Sequence, residues 1–526
     1  RRSCISSLLR SRRACCRTAE WIWAMGRAQP SVKANCATAL TEFLGTLFLC
    51  LTVAAAAGNS EIAPIAIGCA LMVAVYAGGH VSGGHYNPAV TLAVFLRGGD
   101  GAPSAFMMVI YMLSQVGGAL SGAMLAWAFI GKNSAGYAAV APGAHPASAC
   151  LCAAMVTFAL CSVVLHTATT KAQAGNDFFG LAIGFTVLSG AVSVGRISGG
   201  AFNPAVGSMT ILYGDEAAEN VWVYWAGPLF GGVMAAAAFH VLAWSEYSEE
   251  PPSARLALVA PALMEAIGTM FLSFTMGTAG ASPSPFTPLA VGSALMVMMY
   301  MGAWISGAHF NPAVTLAVEC RALMGAKRDP FSKYRALGYV FAQLLGAFVG
   351  AWAACGALGS REKTFVPSVP AGAGEGRAFV GELVGAFFWC YMALNAANRR
   401  RVEASGRKLM SNGYFGLAVG LALTSMICAI GPTSGGSFNP ATACMGPFLG
   451  RSTSGVWIYW VASLLGGGAA AAIHRVQNFQ EFEEEVAAEK TASEKRGAVE
   501  KAAATSPEAA EPAAKEGISD GVRLEV

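Results

Sequence analysis

The tripeptide Asn-Pro-Ala occurs four times in this chain and is the residue pattern most able to interact chemically with a small molecule. The copies are Asn87-Pro88-Ala89, Asn203-Pro204-Ala205, Asn311-Pro312-Ala313 and Asn439-Pro440-Ala441. Asn is a good helix N-cap, and Pro suits the first helical turn because its missing N–H is not needed there. Each copy therefore predicts the start of a helix whose free amides, positive dipole end and Asn NH2 group can donate hydrogen bonds.

The chemistry that such helix tips support is recognition and exclusion rather than catalysis. Two tips that face each other offer donors to water or a small neutral solute, and their dipoles oppose cations and proton hopping. The alternative is that Asn-Pro only makes a turn, but four copies in register argue against it. The chain has no catalytic constellation and no His or Cys spacing typical of a metal site. We therefore expect no enzyme, no metal, no cofactor and no nucleic-acid partner.

The elements that must position these tips are membrane helices. Hydrophobic residues make up 55% of the 526 residues and charged residues only 12%, against about 25% charged in soluble domains. Apolar runs long enough to span a bilayer predict an all-α polytopic membrane protein. The twelve spans fall at about 37–57, 62–79, 104–130, 149–170, 178–195, 221–243, 256–279, 286–303, 334–357, 377–396, 414–430 and 456–474. The four Asn-Pro-Ala runs are too short to span and predict re-entrant half-helices.

An internal duplication divides the chain into two units, 37–244 and 256–475. SGGHYNPAVTLAV (82–94) matches SGAHFNPAVTLAV (306–318), and SGGAFNPA (198–205) matches SGGSFNPA (434–441). Within each unit three spans separate the two Asn-Pro-Ala sites, so the second half is inverted relative to the first. Residues 245–255 are predicted to be a short, exposed, cytoplasmic linker.

Charge patterning gives an orientation and two tails. Basic residues cluster after the third half-helix and between the tenth and eleventh spans: Arg321, Lys327, Arg328, Lys333, Arg335, Arg399, Arg400, Arg401, Arg407 and Lys408. The positive-inside rule then places both termini in the cytoplasm. Residues 476–526 are predicted to be a charged, disordered tail. Residues 1–36 form a basic tail that fits a targeting presequence, a palmitoylated tail or a translation artefact, and whether they belong to the mature protein stays open.

These motifs resemble those of the aquaporin (major intrinsic protein) family, and the chain resembles a tandem fusion of two such units, closest in look to tonoplast-type members. The resemblance implies six spans and two half-helices per unit and a passive channel with two pores in a lipid bilayer. It also implies that four pores assemble, which here means a homodimer of fused chains. The sequence does not distinguish a vacuolar from a plasma membrane.

The family resemblance implies a set of residues that brace the re-entrant loops. Glu42, Glu265 and Glu382 match carboxylates that buttress these loops, and the fourth expected position holds Ala153. We expect the second loop of the first unit to be less well braced for that reason. His85 and His309 match a loop histidine that ties the loop to neighbouring backbone.

A narrow point outside the Asn-Pro-Ala level sets selectivity in the family. Counted by family spacing, it is formed by Ile67, Ala191, Gly200 and Val206 in the first unit, and by Val291, Ile427, Gly436 and Thr442 in the second. Water-selective relatives place an Arg where this chain has Val206 and Thr442. Losing Arg removes bulk, charge and donors, so we expect a wider filter that passes water together with hydrogen peroxide, ammonia, urea or glycerol.

Three other functions are considered. The gap at the filter could be refilled by neighbours, which would give a water-only channel. A secondary transporter would need charged ligands near the midplane, and almost none are found beyond the buttressing carboxylates. A junctional or scaffolding protein with one degenerate pore is disfavoured by four intact Asn-Pro-Ala sites.

Overall fold

The computed structural model describes residues 32–498, with gaps. The gaps are residues 58, 215–217, 249, 251, 325–331, 398–400, 403–407, 410–411, 452, 481, 484–485, 488–489, 492 and 495–496. Residues 1–31 and 499–526, which hold most of both predicted tails, lie outside the described residues. Within the described part, twelve helices are long and apolar enough to cross a membrane, which confirms the fold class.

The first unit contains six long helices and two half-helices. Its long helices are α1 (Val32–Ala56), α2 (Ala63–Ser82), α4 (Ala105–Ile130), α5 (Pro146–Ala168), α6 (Phe179–Ser198) and α8 (Val221–Leu242). Its half-helices are α3 (Pro88–Arg97) and α7 (Pro204–Ser208), the latter extended by the 3₁₀ turn Met209–Tyr213. Further 3₁₀ turns lie at Lys132–Ser134, Lys171–Gln173 and Trp244–Glu246. Helix α1 begins inside the predicted 1–36 tail.

The second unit repeats this order. Its long helices are α9 (Ala254–Ala279), α10 (Thr287–Ser306), α12 (Ser332–Leu358), α13 (Glu375–Met392), α14 (Phe415–Ser434) and α17 (Val456–Gln477). Its half-helices are α11 (Pro312–Met324) and α15 (Pro440–Ala443), the latter followed by α16 (Met445–Phe448). A π turn at Ala393–Ala397 ends α13, and two short strands, β1 (Arg401–Val402) and β2 (Lys408–Leu409), pair antiparallel.

Small residues let the long helices of a unit approach closely. A Cβ at Gly118 of α4 would lie 2.3 Å from the Phe43 carbonyl oxygen of α1, and one at Gly122 would lie 2.4 Å from that of Leu47. Any larger side chain would push the two helices apart. Such backbone contact is how helices associate in lipid, where the hydrophobic effect does not drive them together.

The two units pack through α5 and α6 of the first and α9 and α10 of the second. Ser189 Oγ of α6 donates to the Ala290 carbonyl of α10 at 2.8 Å. The Phe178 ring stacks on Tyr300 with ring centroids 4.3 Å apart, and Gln173 Nε2 donates to the Tyr300 carbonyl at 2.9 Å. Hydrogen bonds and ring stacking therefore add to apolar packing in holding the two units together.

Two segments that the sequence assigns to exposed linker or tail are docked. In the linker, the Glu246 side chain is 4% exposed and lies 3.7 Å from Arg97 at the end of α3, and the Tyr247 hydroxyl donates to the Arg97 carbonyl. In the C-terminal tail, Phe482 is fully buried, with the Arg321 and Arg475 guanidinium groups over its ring. Most of the other described residues of these two segments are exposed. The two buried side chains, Glu246 and Phe482, each pack against an Arg near the C-terminal end of a first half-helix, α3 or α11.

Candidate functional site

The two half-helices of the first unit meet through a reciprocal pair of hydrogen bonds. Asn87 Oδ1 accepts from the Ala89 amide at 2.9 Å, so it caps α3, and Asn87 Nδ2 donates to the Phe202 carbonyl at 3.0 Å. Asn203 Nδ2 donates in return to the Tyr86 carbonyl at 2.8 Å. Each NH2 group has two hydrogens, so one holds the opposite loop and one remains to face the space between the tips.

The second unit has the same arrangement. Asn311 Nδ2 donates to the Phe438 carbonyl and Asn439 Nδ2 to the Phe310 carbonyl, both at 2.9 Å. The backbone angles of the two second-half caps agree, with φ −151° at Asn203 and −150° at Asn439. The four predicted half-helix tips are thus brought together as two facing pairs.

A buried carboxylate organises the first loop of each unit. Glu42 accepts from the Ser82 hydroxyl at 2.6 Å, the His85 amide at 3.0 Å, and the Tyr86 amide and Gln115 Nε2 at 2.7 Å each. Four donors on one acceptor group explain how it tolerates complete burial.

The matching carboxylates of the second unit do the same. Glu265 accepts from the Ser306 hydroxyl, the His309 and Phe310 amides and Gln343 Nε2. In the second loop of this unit, Glu382 accepts from the Ser434 hydroxyl and the Ser437 and Phe438 amides.

The loop histidines contact a side chain rather than backbone. His85 Nδ1 lies 3.2 Å from the Thr91 hydroxyl, and His309 Nδ1 lies 3.1 Å from that of Thr315. The ring thus ties each loop to its own half-helix, while the His amide is held by the carboxylate. The expected structural role fits this geometry, but the expected backbone partner of the ring is replaced by a hydroxyl.

A cavity of about 230 Å³ lies in the first unit and includes the paired tips in its wall. The four residues of the predicted filter line it, together with both cap residues and the loop histidine: Ile67, Ala191, Gly200, Val206, Asn87, Asn203 and His85. Most of the remaining wall is aliphatic. A polar molecule inside it therefore finds donors at the tips and little to bind elsewhere.

The predicted filter of the second unit is packed differently. Thr442 is fully buried, and its hydroxyl lies 2.9 Å from the Ser437 hydroxyl. Val291 is 2% exposed, and the Ile427 side chain lies 3.9 Å from the position of a Cβ on Gly436. Thr442 is 0% exposed where Val206 is 7% exposed, so less space adjoins the filter position after the second Asn-Pro-Ala in this unit.

Comparison of the sequence with protein-family models identifies a family for both units. The family model described as "Major intrinsic protein" matches residues 28–239 and again residues 255–474. The chain belongs to the major intrinsic protein family. Membership makes it an integral, multi-pass membrane protein of a family of passive channels for water and small solutes, and the two matches confirm the tandem repeat.

Curated relatives of several kinds are similar to it. Aquaporin NIP1-1 of Zea mays is 33% identical over 227 residues, 41% of this chain and 74% of the relative. The glycerol uptake facilitator protein-like 6 of Lactiplantibacillus plantarum is 33% identical over 209 residues, 38% of this chain and 94% of the relative. A probable TIP-type aquaporin of Medicago truncatula is 32% identical over 194 residues. These likenesses do not set the tonoplast type apart from the others.

The loop without a carboxylate differs locally from the other three. Tyr86, Phe310 and Phe438 have φ of 48°, 50° and 49°, whereas Phe202 does not have a positive φ. With Ala153 in place of a carboxylate, nothing draws the Phe202 amide inward, and its backbone keeps the favoured negative φ. The Thr157 hydroxyl instead donates to the Phe202 carbonyl at 3.1 Å. The Asn203 cap keeps its geometry, so the altered bracing stops short of the tip.

Some residues of the site are missed by sequence reasoning. Tyr137 lines the mouth of the cavity and stacks on Tyr213 with centroids 4.2 Å apart. Tyr137 lies in the loop between α4 and α5, where neither periodicity nor motif spacing marks it. Leu160 also lines the cavity, and its spacing from Ala153 along α5 could have identified it.

Proposed function

We propose that the first unit is a passive channel that conducts water together with small neutral solutes such as hydrogen peroxide, ammonia, urea and glycerol. The observation that supports this most is the cavity lined by Ile67, Ala191, Gly200 and Val206 on its way to the paired Asn side chains. None of those four filter residues carries a charge or a side-chain donor. Polar solutes are therefore admitted by size, and the helix tips disfavour cations.

Stopped-flow light scattering on proteoliposomes tests this proposal. With an impermeant osmolyte, vesicles should shrink faster than protein-free vesicles. With a urea or glycerol gradient, shrinkage should be followed by rapid reswelling as solute enters. Rapid shrinkage without reswelling would establish a water-only channel, and shrinkage at the protein-free rate would remove the channel proposal altogether.

The proposal includes an orientation with both termini in the cytoplasm, supported by the positive-inside rule. Of the cations behind it, Lys327, Arg328, Arg399, Arg400 and Arg407 lie outside the described residues. Protease protection of a C-terminal epitope in sealed cells tests this orientation. Cleavage by external protease would reverse it.

The proposal also includes a homodimer. Within one chain, α6 packs on α10, whereas their counterparts α14 and α2 present exposed apolar side chains. Tyr414, which corresponds to Phe178, is 60% exposed, and Tyr76, which corresponds to Tyr300, is 40% exposed. A second copy that repeats the internal interface would stack Tyr414 on its Tyr76 and close a ring of four units.

Removing two exposed side chains of this face is expected to separate the chains. The double variant Tyr414→Ala/Leu421→Ala should weaken the two-chain species by about ten-fold or more, since anchoring side chains at interfaces contribute about 2 kcal/mol or more. Light scattering coupled to gel filtration in mild detergent measures the mass. The control is Phe341→Ala, because Phe341 of α12 is 71% exposed and lies off this face. A wild-type chain that is monomeric, or a double variant that stays dimeric, would contradict the proposal.

A further inference from the structure

The two units have equivalent half-helices but unequal space between them. In the first, Asn87 is 3% and Asn203 6% exposed, and both border the cavity. In the second, Asn311 and Asn439 are each 0% exposed. No water-sized space therefore borders the tips that should contact a permeating molecule.

Positions in the two units can be paired through equivalent glycine contacts between helices. Gly231 of α8 approaches the Ala154 carbonyl of α5, and Gly466 of α17 approaches the Leu383 carbonyl of α13 in the same way. Glu382, one residue before Leu383, thus corresponds to Ala153. Counted along the helices from these residues, Leu160 corresponds to Trp389.

Trp389 is placed to enter the lumen of the second unit. Leu160 lines the first cavity, and Trp389 lies two helical turns beyond Glu382 on the same face of α13. Glu382 itself holds the loop that carries Asn439. Leu160 and Trp389 are equally buried, at 2% exposed each, so the difference between the units at this position is the larger volume of the Trp ring.

Other exchanges act in the same direction. Aligning the Ser-Gly-Gly segments before the second Asn-Pro-Ala of each unit pairs Ala191 with Ile427. Aligning Glu42 with Glu265 pairs Val53 with Met276. Both first-unit residues line the cavity, and both counterparts are larger. Smaller residues replace Ile67, Val164 and Ile183, but together they lose fewer atoms than Trp389 and Ile427 add.

We propose that the second unit is a closed pore, blocked by Trp389 beside the Asn311 and Asn439 pair, and that the chain conducts through its first unit alone. The inference rests on the proposed channel function of the first unit. The unit whose second loop lacks a bracing carboxylate is then the conducting one, because lumen volume rather than loop bracing separates the units. The second unit then supplies the surfaces of α9 and α10 on which the conducting unit packs.

Exchanging the two side chains tests the proposal. Leu160→Trp should reduce water flux through proteoliposomes by about ten-fold or more, because it plugs the lumen that the proposal assigns to conduction. Ala191→Ile, which copies Ile427, is a second and milder plug that keeps the test valid if Leu160→Trp does not fold. Folding is checked by gel filtration and by the thermal transition of each variant.

The reciprocal change provides the second arm. Adding Trp389→Leu to Leu160→Trp should restore flux by opening the second unit. About half of the wild-type flux or more in folded Leu160→Trp would show a conducting second unit and overturn the proposal. A folded double variant without flux would overturn the role given to Trp389. Wild-type vesicles that never exceed the protein-free rate would instead refute the underlying channel function.

Discussion

Val206→Arg is expected to cut urea and glycerol flux by about ten-fold or more while water flux falls no more than a few-fold. Val206 lines the first cavity beside Ala191 and Gly200. An Arg there adds bulk, a fixed positive charge and five N–H donors at the point where the filter is now apolar. Water, being smaller, still passes beside it, whereas the larger solutes do not.

The same stopped-flow assay measures this change, with two controls. Val206→Met adds bulk without charge and should reduce glycerol flux more than urea flux. Thr442→Arg makes the equivalent change in the second unit, where Thr442 is already fully buried, and a folded variant should conduct like the wild type. Urea uptake that is unaffected by Val206→Arg would show that Val206 does not form the filter.

Glu42→Ala is expected to abolish the folded channel. The change removes the acceptor of the Ser82 hydroxyl, the Gln115 amide and two loop amides. Each buried donor left unpaired costs about 1–3 kcal/mol, and a whole domain is stable by only about 5–15 kcal/mol. The loop that carries Asn87 should therefore lose its conformation, and the yield of monodisperse protein should collapse.

Thermal unfolding followed by gel filtration measures this loss. The matched control is Glu61→Ala, since Glu61 is a solvent-exposed carboxylate in the loop between α1 and α2 of the same unit and should shift the transition by little. An unchanged transition in Glu42→Ala would mean that the four hydrogen bonds contribute nothing net to the loop.

Much of the architecture follows from sequence because two physical signals repeat along the chain. Span length fixes the twelve helices, and the Asn-Pro pair fixes each half-helix start, as the Asn87 and Asn203 caps illustrate. Counting from these anchors also brings Ile67 and Val206 to one cavity. Such reasoning works where backbone geometry is set by local residues.

The remaining features depend on packing between distant segments. Nothing local distinguishes Glu246 from its neighbours in a run of glutamates and serines, yet it lies against Arg97. Likewise, Ala153 indicates a missing brace, but only the fold shows that Thr157 contacts the same loop. The proposed closure of the second unit does not follow from local sequence. The size of Trp389 becomes informative only when it is compared with Leu160 at the equivalent position of the first unit.

The covalent linkage of the two units affects the number of conducting pores in each assembled ring. Separate channel subunits can mix freely, so the composition of a ring follows expression levels. Here the linker that docks through Glu246 joins the two units covalently, which under the closed-pore proposal ties one conducting unit to one closed unit. If the closed-pore proposal and the proposed ring of two chains both hold, each conducting unit has closed units on both sides. The open routes then lie diagonally opposite, and their number is set by the gene rather than by assembly.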